Sequence, residues 1–261
     1  MNASAVERAL NTRLLGHPLR YLPSVDSTQE IARLAALARE PEGLAVVAGR
    51  QAAGKGRSSR WWWSPAGGGL YLSLLLRPRL KPEQVPWVTM GLALGAAEAI
   101  ERICGLRPDV KWPNDLEVRG RKLAGILAEA AFQGDEIDFV IAGLGVNVNV
   151  DFAARPDLEP VATSLSAEVG AAIGTTALLR ATLERIEYHY LRAQQGTSPQ
   201  PAWKARLVTL GQAVQARFAD GRIVSGVARD VLPDGALAIR QAGGQDEVVR
   251  AADVTLREPK T

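Results

Sequence analysis

The chain has 261 residues, of which 47% are hydrophobic and 23% are charged, and its formal net charge is +3. This composition is that of an ordinary globular protein and excludes a fibre or a disordered chain, and the uncharged run 85–97 is shorter than the roughly 20 residues of a membrane-spanning helix. A single cysteine excludes an internal disulfide, and two histidines argue against zinc sites and histidine-based catalytic triads.

Residues 1–10 carry Glu7 and Arg8 and lack the apolar core of a signal peptide, so we predict a cytoplasmic protein without a membrane partner. Cys104 lies among apolar residues at helical spacing, which favours burial over use as a nucleophile. Any catalysis must therefore rely on Lys, Arg, Asp, Asn and backbone groups. Because the net charge is low for a DNA-binding module, we also predict no DNA partner.

The first half of the chain predicts a helix and two strands around a long loop. Ser27 is placed to begin a helix, and Glu30 three residues later completes a capping box. Residues 44–48 and 70–76 have the composition of buried strands. The intervening loop, 49–69, is rich in glycine, arginine and tryptophan, and loops of this length are uncommon unless they bind something.

A second helix is predicted over 84–104, and its alanines and glycines should allow close packing on a sheet. Strands follow at about 108–112, 116–118, 121–130 and 136–147, with hairpin turns at 119–120 and 133–135. Further helices are predicted at about 176–195 and 201–209. These elements indicate an α+β fold with a central mixed, mostly antiparallel sheet flanked by helices.

The tail changes character after Gly211. Short alternating segments (AVQARF, IVSGVARDV, ALAIRQ and EVVRA) are separated by Asp-Gly and Gly-Gly turns, which is typical of a small barrel of about 50 residues. We therefore predict a domain over 1–208 and a small β-barrel domain over 209–261.

The segment GRQAAGKGRSSRWWW, residues 49–63, combines glycines, four basic residues and three tryptophans. Backbone N–H groups and cations can hold a phosphate, and an indole can cover an adenine. The spacing G-x-x-x-x-G-K also resembles a P-loop, but Gly56 replaces the magnesium-binding hydroxyl and no helix is predicted next. A solvated basic loop and a platform for single-stranded nucleic acid remain alternatives for this segment.

Two further motifs carry polar groups to strand ends. In KWPND, Pro113 predicts a turn that brings Asn114 and Asp115 opposite Lys122 on the next strand. The alternative is a surface ion pair between Asp115 and Lys122, with Asn114 capping the turn. In GLGVNVN, residues 143–149, Asn147 falls within the strand pattern, which favours a polar contact to a ligand.

The order of five motifs resembles that of biotin–protein ligases. The motifs are DSTQ (26–29), QAAGKGRSSRWW (51–62), KWPNDL (111–116), RKLAGIL (121–127) and GLGVNVN. The resemblance covers about residues 20–150, and the tail looks like the small Src-homology-3-like barrel of that family. It implies ATP and biotin as substrates, Mg²⁺, and transfer of biotin from biotinyl-5′-adenylate to a lysine of a carboxylase's biotin carboxyl carrier domain. A homodimer is common in the family.

The resemblance also implies roles for individual residues. Lys122 would bridge the biotin carboxylate and the α-phosphate, Arg57 would hold the phosphate end, and Asp115 would orient the incoming lysine. The implied biotin-binding residues are Ser27, Thr28, Gln29, Gln51, Gly54, Lys55, Gly56, Arg57, Lys122 and Gly125. The implied ATP-binding residues are Arg60, Trp62, Asn114, Lys122 and Asn147, and no protein metal site is implied.

Departures from the family pattern affect the loop and the N-terminus. Lys55 stands where the family usually has arginine, which keeps the charge but loses a bidentate contact, and Ser59 replaces a glycine. About 20 residues precede the DSTQ motif, too few for a winged helix-turn-helix. The rival functions are a lipoate or octanoyl transferase, a biotin-responsive DNA-binding repressor and a non-enzymatic nucleotide-binding module.

Overall fold

The computed structural model describes residues 2–250 and 253–256, and these residues form two β-sheets. The larger sheet has seven described strands in the order β1-β2-β3-β7-β6-β5-β4. β1 and β2 run parallel, and the five other neighbouring pairs are antiparallel. The bounds are β1 (Leu19–Leu22), β2 (Ala45–Ala48), β3 (Gly69–Leu76), β4 (Asp109–Lys111), β5 (Asp115–Val118), β6 (Arg121–Gln133) and β7 (Glu136–Asn147).

Helices cover both faces of this sheet. α3 and α5 pack together over one face, and α2 packs on β2, β3 and β7 at the other face. The sheet therefore lies between helical layers, which confirms the predicted α+β fold. The helix bounds are α1 (Ala3–Arg8), α2 (Thr28–Leu37), α3 (Val85–Cys104), α4 (Leu165–Val169), α5 (Thr175–Gln194) and α6 (Gln200–Lys204).

The glycines of α3 serve helix packing rather than sheet packing. A Cβ atom on Gly95 would lie 2.7 Å from the backbone nitrogen of Ile186 in α5, so the two helices approach too closely for any side chain there. The sequence predicted close packing at this helix but assigned it to the sheet. Cys104, at the end of α3, is half-buried, and burial raises the pKa of its thiol.

The smaller sheet contains five described strands in the order β11-β10-β9-β8-β12. Four of them correspond to the predicted segments, and β12 was not predicted. The turn before β10 packs against the larger sheet, because the Trp112 indole donates to the Gly235 carbonyl (2.8 Å). The bounds are β8 (Ala213–Arg217), β9 (Ile223–Val231), β10 (Leu237–Arg240), β11 (Asp246–Val249) and β12 (Asp253–Leu256).

Most predicted elements agree with the structure within a few residues. The last predicted helix is shorter, since α6 ends at Lys204, and β6 extends to Gln133. Three elements of the structure, α1, β1 and α4, were not predicted from the sequence. Two predicted domains extend beyond the described residues: the domain 1–208 includes Met1, and the β-barrel domain 209–261 includes residues 251–252 and 257–261. Within the described ranges, no helix has both the length and the apolar character needed to cross a bilayer.

Candidate active site

A cavity of about 140 Å³ opens on the face of the larger sheet that α2 partly covers. The N-terminal end of α2 forms one side, the loop 49–68 covers the top, and β3, β6 and β7 form the floor. Its lining contains most of the residues implied by the motifs, which are Ser27, Thr28, Gln29, Gln51, Lys55, Gly56, Arg57, Arg60, Trp62, Asn114, Asp115, Lys122 and Gly125.

The first residues of α2 supply buried polar groups to this cavity. Ser27, Thr28 and Gln29 are 3%, 3% and 4% exposed. The predicted capping box is wrong, because the Ser27 hydroxyl makes no capping hydrogen bond and Glu30 instead pairs with Arg33 and Lys55. The Ser27 hydroxyl is buried and has no hydrogen-bond partner within the described residues. A buried hydroxyl in that state is ready to bond to a ligand.

The neighbouring polar side chains bond to one another. Thr28 donates through its backbone N–H and its hydroxyl to Gln51 Oε1, at 2.9 and 3.0 Å. Ser73 donates to Gln29 Oε1 (3.0 Å), and Gln29 Nε2 reaches the carbonyls of Leu127 and Ile141. Because every member of this network is held by others, it provides a rigid polar wall. The sequence analysis missed Ser73, although a serine within the apolar strand LYLSLLL was a usable signal.

Glycines make the floor of the cavity flat. Gly125 pairs with Gly145 across β6 and β7, and Gly143 lies two residues away on the same face. A Cβ atom on Gly145 would lie 2.6 Å from the Trp62 indole nitrogen, and one on Gly143 would lie 2.5 Å from Gln29 Oε1. The motifs implied this role for Gly125, whereas Gly143 and Gly145 were identified only from the structure.

The loop 49–68 folds back over this floor. Trp62 donates its backbone N–H to the Gly54 carbonyl (2.8 Å), and a Cβ atom on Gly54 would lie 2.4 Å from the Trp62 carbonyl. Gly54 is thus packed inside the loop and does not line the cavity, contrary to the biotin-binding role that the motifs implied for it. A three-residue 3₁₀ turn, Arg57–Ser59, occupies the place where a P-loop would begin its helix. The structure therefore excludes the P-loop interpretation.

An ion pair anchors this loop to α2. Lys55 Nζ lies 3.2 Å from Glu30 Oε2. Hydrogen bonds from Arg33 and then Lys55 lower the pKa of the Glu30 carboxyl to about 2, so the pair weakens only as the pH falls from about 4.5 towards that value. The Lys55 ammonium therefore contacts α2, although its side chain also lines the cavity.

Charged groups meet at the open end of the cavity. Lys122 Nζ lies 2.7 Å from Asp115 Oδ1, and both side chains are partly exposed. Asn114 donates to the Ile126 carbonyl (2.6 Å) and accepts from Arg57 Nη1 (3.3 Å). The ion pair considered as an alternative thus exists, but it lies at the cavity and not on an unrelated surface. Arg57 connects the loop to the KWPND turn through Asn114.

Trp62 covers Lys122 and the glycine floor. Lys122 Nζ lies 5.4 Å from the centre of the Trp62 ring, within the range of a cation–π contact. The Trp62 indole nitrogen is buried, and among the described residues it has no hydrogen-bond partner. It is a second donor available to a ligand.

A second cavity of about 150 Å³ adjoins the first and is mainly apolar. Trp61, Trp62 and Lys122 line both cavities, so the two spaces meet at the Lys122 side chain. Asn147 lines the second cavity, and its amide donates to the Thr163 carbonyl (3.1 Å). Trp61 and Trp63, which the sequence had indicated as part of a nucleotide-binding loop, also line it, whereas Phe152, Leu158, Val161 and Ala162 were not predicted.

Comparisons with known proteins identify the family of this chain. The model of the biotin/lipoate A/B protein ligase family matches residues 21–147, and that of the biotin protein ligase C terminal domain matches residues 209–257. The chain is 32% identical over 260 residues to the biotin–[acetyl-CoA-carboxylase] ligase of Mycobacterium tuberculosis, covering 95% of this chain and 94% of that protein. It is 34% identical over 259 residues to the bifunctional ligase/repressor BirA of Bacillus subtilis, covering 98% and 79%.

Solved structures show the same fold. A structure of the biotin protein ligase from Aquifex aeolicus in complex with biotin and ATP has a TM-score of 0.78 and 28% sequence identity, and the match covers 92% of this chain and 99% of that one. The apo structure of the same Aquifex aeolicus protein gives a TM-score of 0.74 with 27% identity.

Proposed function

The chain belongs to the biotin/lipoate A/B protein ligase family, and on this premise we propose that it activates biotin with ATP and attaches biotin to a protein. The product of the first step is biotinyl-5′-adenylate, and the acceptor is a lysine of a biotin carboxyl carrier domain. The observation that carries this proposal is the position of Lys122, whose side chain lines both cavities. One ammonium group can therefore contact a carboxylate in the first cavity and a phosphate in the second.

The first cavity suits the biotin end of the reaction. The ureido ring of biotin carries N–H donors and a carbonyl acceptor, which need partners when they are buried. The Ser27 hydroxyl and the network of Thr28, Gln29 and Gln51 lie at the closed side of the cavity. The glycine floor admits the flat bicyclic ring against the sheet backbone.

The second cavity suits the adenosine part of ATP. Its lining is apolar and aromatic, and aromatic rings can cover the faces of an adenine. Arg60 and Asn114 line the first cavity, where they would contact the phosphates. We assign ATP-binding roles to Arg60, Trp62, Asn114 and Asn147, and their positions in the two cavity linings support this assignment.

Adenylation needs positioning and charge neutralisation more than proton transfer. A biotin carboxylate oxygen attacks the α-phosphorus, the bond between the α- and β-phosphates breaks, and pyrophosphate leaves. Two anions approach each other in this step, so cations between them stabilise the transition state. Lys122 and Arg57 provide those cations, and the Asp115 carboxylate holds the Lys122 ammonium in place before the substrates bind.

Mg²⁺ would accompany the phosphates of ATP. The described residues contain no group of three or more His, Cys, Asp or Glu side chains that could hold a metal ion. Magnesium commonly binds to one or two carboxylates together with substrate phosphates, and Asp115 is the carboxylate in the cavity lining that could take part. The ion would neutralise phosphate charge.

In the transfer step, the amine of the acceptor lysine attacks the acyl carbon of the adenylate and AMP leaves. The amine must lose a proton during this step. Asp115 is partly exposed at the open end of the cavity, and we assign it the role of orienting the amine or accepting its proton.

The direct test uses the purified chain with biotin, ATP, Mg²⁺ and a carrier domain, followed by a streptavidin blot. We expect biotin on the carrier domain only when all components are present, and no lipoylation when lipoate replaces biotin. A preference for lipoate, or absence of both products with a functional carrier domain, would contradict the proposal.

Replacing Ser27 by alanine is expected to raise the KM for biotin about tenfold, because one hydrogen bond to a buried ligand is lost. The melting temperature should not change, since the Ser27 hydroxyl caps no helix. The measurement is pyrophosphate release against biotin concentration, with Ser225→Ala in the smaller sheet as a matched control. An unchanged KM for biotin would remove Ser27 from the binding site.

The partners follow from the same proposal. We infer that the protein works where ATP is available, as in the predicted cytoplasm, and without binding DNA.

A homodimer would use a free strand edge, and β6 offers one, because β5 pairs with β6 only as far as Gly125. Sedimentation with and without biotin and ATP measures this assembly.

A further inference from the structure

The backbone of Lys122 pairs in parallel with residues 161–163, which lie at the wall of the second cavity. Lys122 donates its N–H to the Val161 carbonyl (2.8 Å), and its carbonyl accepts from the Thr163 N–H (2.9 Å). Val161 and Ala162 line the cavity assigned to the nucleotide. The same three-residue segment, 161–163, therefore forms both a cavity wall and the support of the Lys122 backbone.

Glu168 holds this segment from the other side. Its side chain is completely buried on α4, and its Oε1 atom accepts from the Thr163 hydroxyl (2.7 Å) and from Arg121 Nη2 (2.5 Å). Arg119 Nη1 lies 3.2 Å from Glu168 Oε2. The two groups form an ion pair, but their orientation is not that of a hydrogen bond. A buried carboxylate is retained only with such partners. Glu168 thus ties the hairpin turn before Lys122 to the segment that supports it.

We propose that Glu168 is a positioning residue that acts through Thr163 and Arg121 to set the Lys122 side chain against the wall of the nucleotide cavity. This inference rests on the proposed function, because it assigns Lys122 and the second cavity to the adenylation step. Glu168 lines neither cavity, so its effect reaches the substrates through these two partners.

The geometry distinguishes the two substrates. The Glu168 contacts lie at the start of β6 and at residues 161–163, where the nucleotide cavity is. Thr28, Gln29 and Gln51 are held by a separate network at the biotin side. Loss of the Glu168 carboxylate should therefore disturb ATP binding more than biotin binding, since biotin shares only the Lys122 contact and keeps its own network. A purely structural role would lower stability without separating the two substrates.

The test measures KM for ATP and for biotin in Glu168→Gln by pyrophosphate release, together with ATP affinity by calorimetry. We expect ATP affinity to fall and KM for ATP to rise, each by about tenfold, with a clearly smaller rise in KM for biotin. The matched control is Glu98→Gln. Glu98 also accepts from an arginine and a second donor, Arg185 and His189, but it lies between α3 and α5 and lines neither cavity.

A second pair of variants tests the inference in case Glu168→Gln fails to fold. Thr163→Val removes the hydroxyl that donates to Glu168 and keeps the side-chain shape, whereas Thr163→Ser keeps the hydroxyl. We expect Thr163→Val to weaken ATP binding and Thr163→Ser to retain it. Equal changes in the affinities for both substrates, or wild-type ATP binding in folded Glu168→Gln and Thr163→Val, would overturn the inference. A wild-type protein that binds ATP but releases no pyrophosphate with biotin would instead contradict the proposed function.

Discussion

Replacing Lys122 by alanine is expected to lower biotin-dependent pyrophosphate release by at least about a hundredfold, which is typical for loss of a group that stabilises transition-state charge. Lys122 is the cation shared by both cavities, and alanine leaves the biotin carboxylate and the α-phosphate facing each other without it. The measurement is pyrophosphate release at saturating ATP and biotin. Lys122→Arg should also fail, because a planar guanidinium cannot replace a compact ammonium.

The fold should survive the loss of the Lys122 side chain. Its ion pair with Asp115 is partly exposed, and such pairs contribute little to stability. The backbone contacts of Lys122 to Val161 and Thr163 remain in the alanine variant. Lys204→Ala is a suitable control, since Lys204 also pairs with an aspartate, Asp230, but lines neither cavity. A near wild-type rate in folded Lys122→Ala would show that this lysine does not bridge the two substrates.

Replacing Arg57 by glycine is expected to separate formation of the adenylate from its retention. Arg57 lies in the glycine-rich loop over the cavity and donates to Asn114, so it connects the covering loop to the KWPND turn. Removing one charge-assisted contact to the bound intermediate costs about 1.5–3 kcal/mol, or roughly ten- to hundredfold in retention. Lys122 stays in place, so biotin should still be activated.

Released biotinyl-5′-adenylate would react with lysines of unrelated proteins. The measurement compares biotin incorporated into serum albumin by the wild type, by Arg57→Gly and by the control Arg222→Gly. Arg222 is an exposed arginine directly before β9 of the smaller sheet, and it pairs with Glu247. Of the three proteins, we expect only Arg57→Gly to label albumin strongly. Labelling at the wild-type level, with pyrophosphate release intact in the variant, would show that Arg57 does not retain the intermediate.

Local features of the sequence were sufficient for most elements of the fold, and the resemblance of the motifs to a known family indicated most of the cavity lining. Alternation, turn residues and helical spacing act over a few neighbours, so β6, β7, α3 and α5 were predicted near their observed positions. The motifs also indicated that Lys122, Asp115 and Arg57 lie close together at one site. Short-range patterns can indicate this, because the site is formed by two adjacent strands joined by a tight turn and by one loop.

Tertiary structure decided what depends on contacts between distant segments. The Ser27 hydroxyl faces the cavity instead of capping α2, because the partners that surround a helix end are set by packing and not by the local pattern. Segment 152–162 has no regular pattern, yet its apolar residues form the nucleotide cavity by lying against Trp61 and Trp63. The role of Glu168 could not be predicted from the sequence either, since only the folded chain brings α4 next to the turn before Lys122. Short-range propensity specifies the elements, whereas burial and pairing over long sequence separations specify which polar groups remain available to substrates.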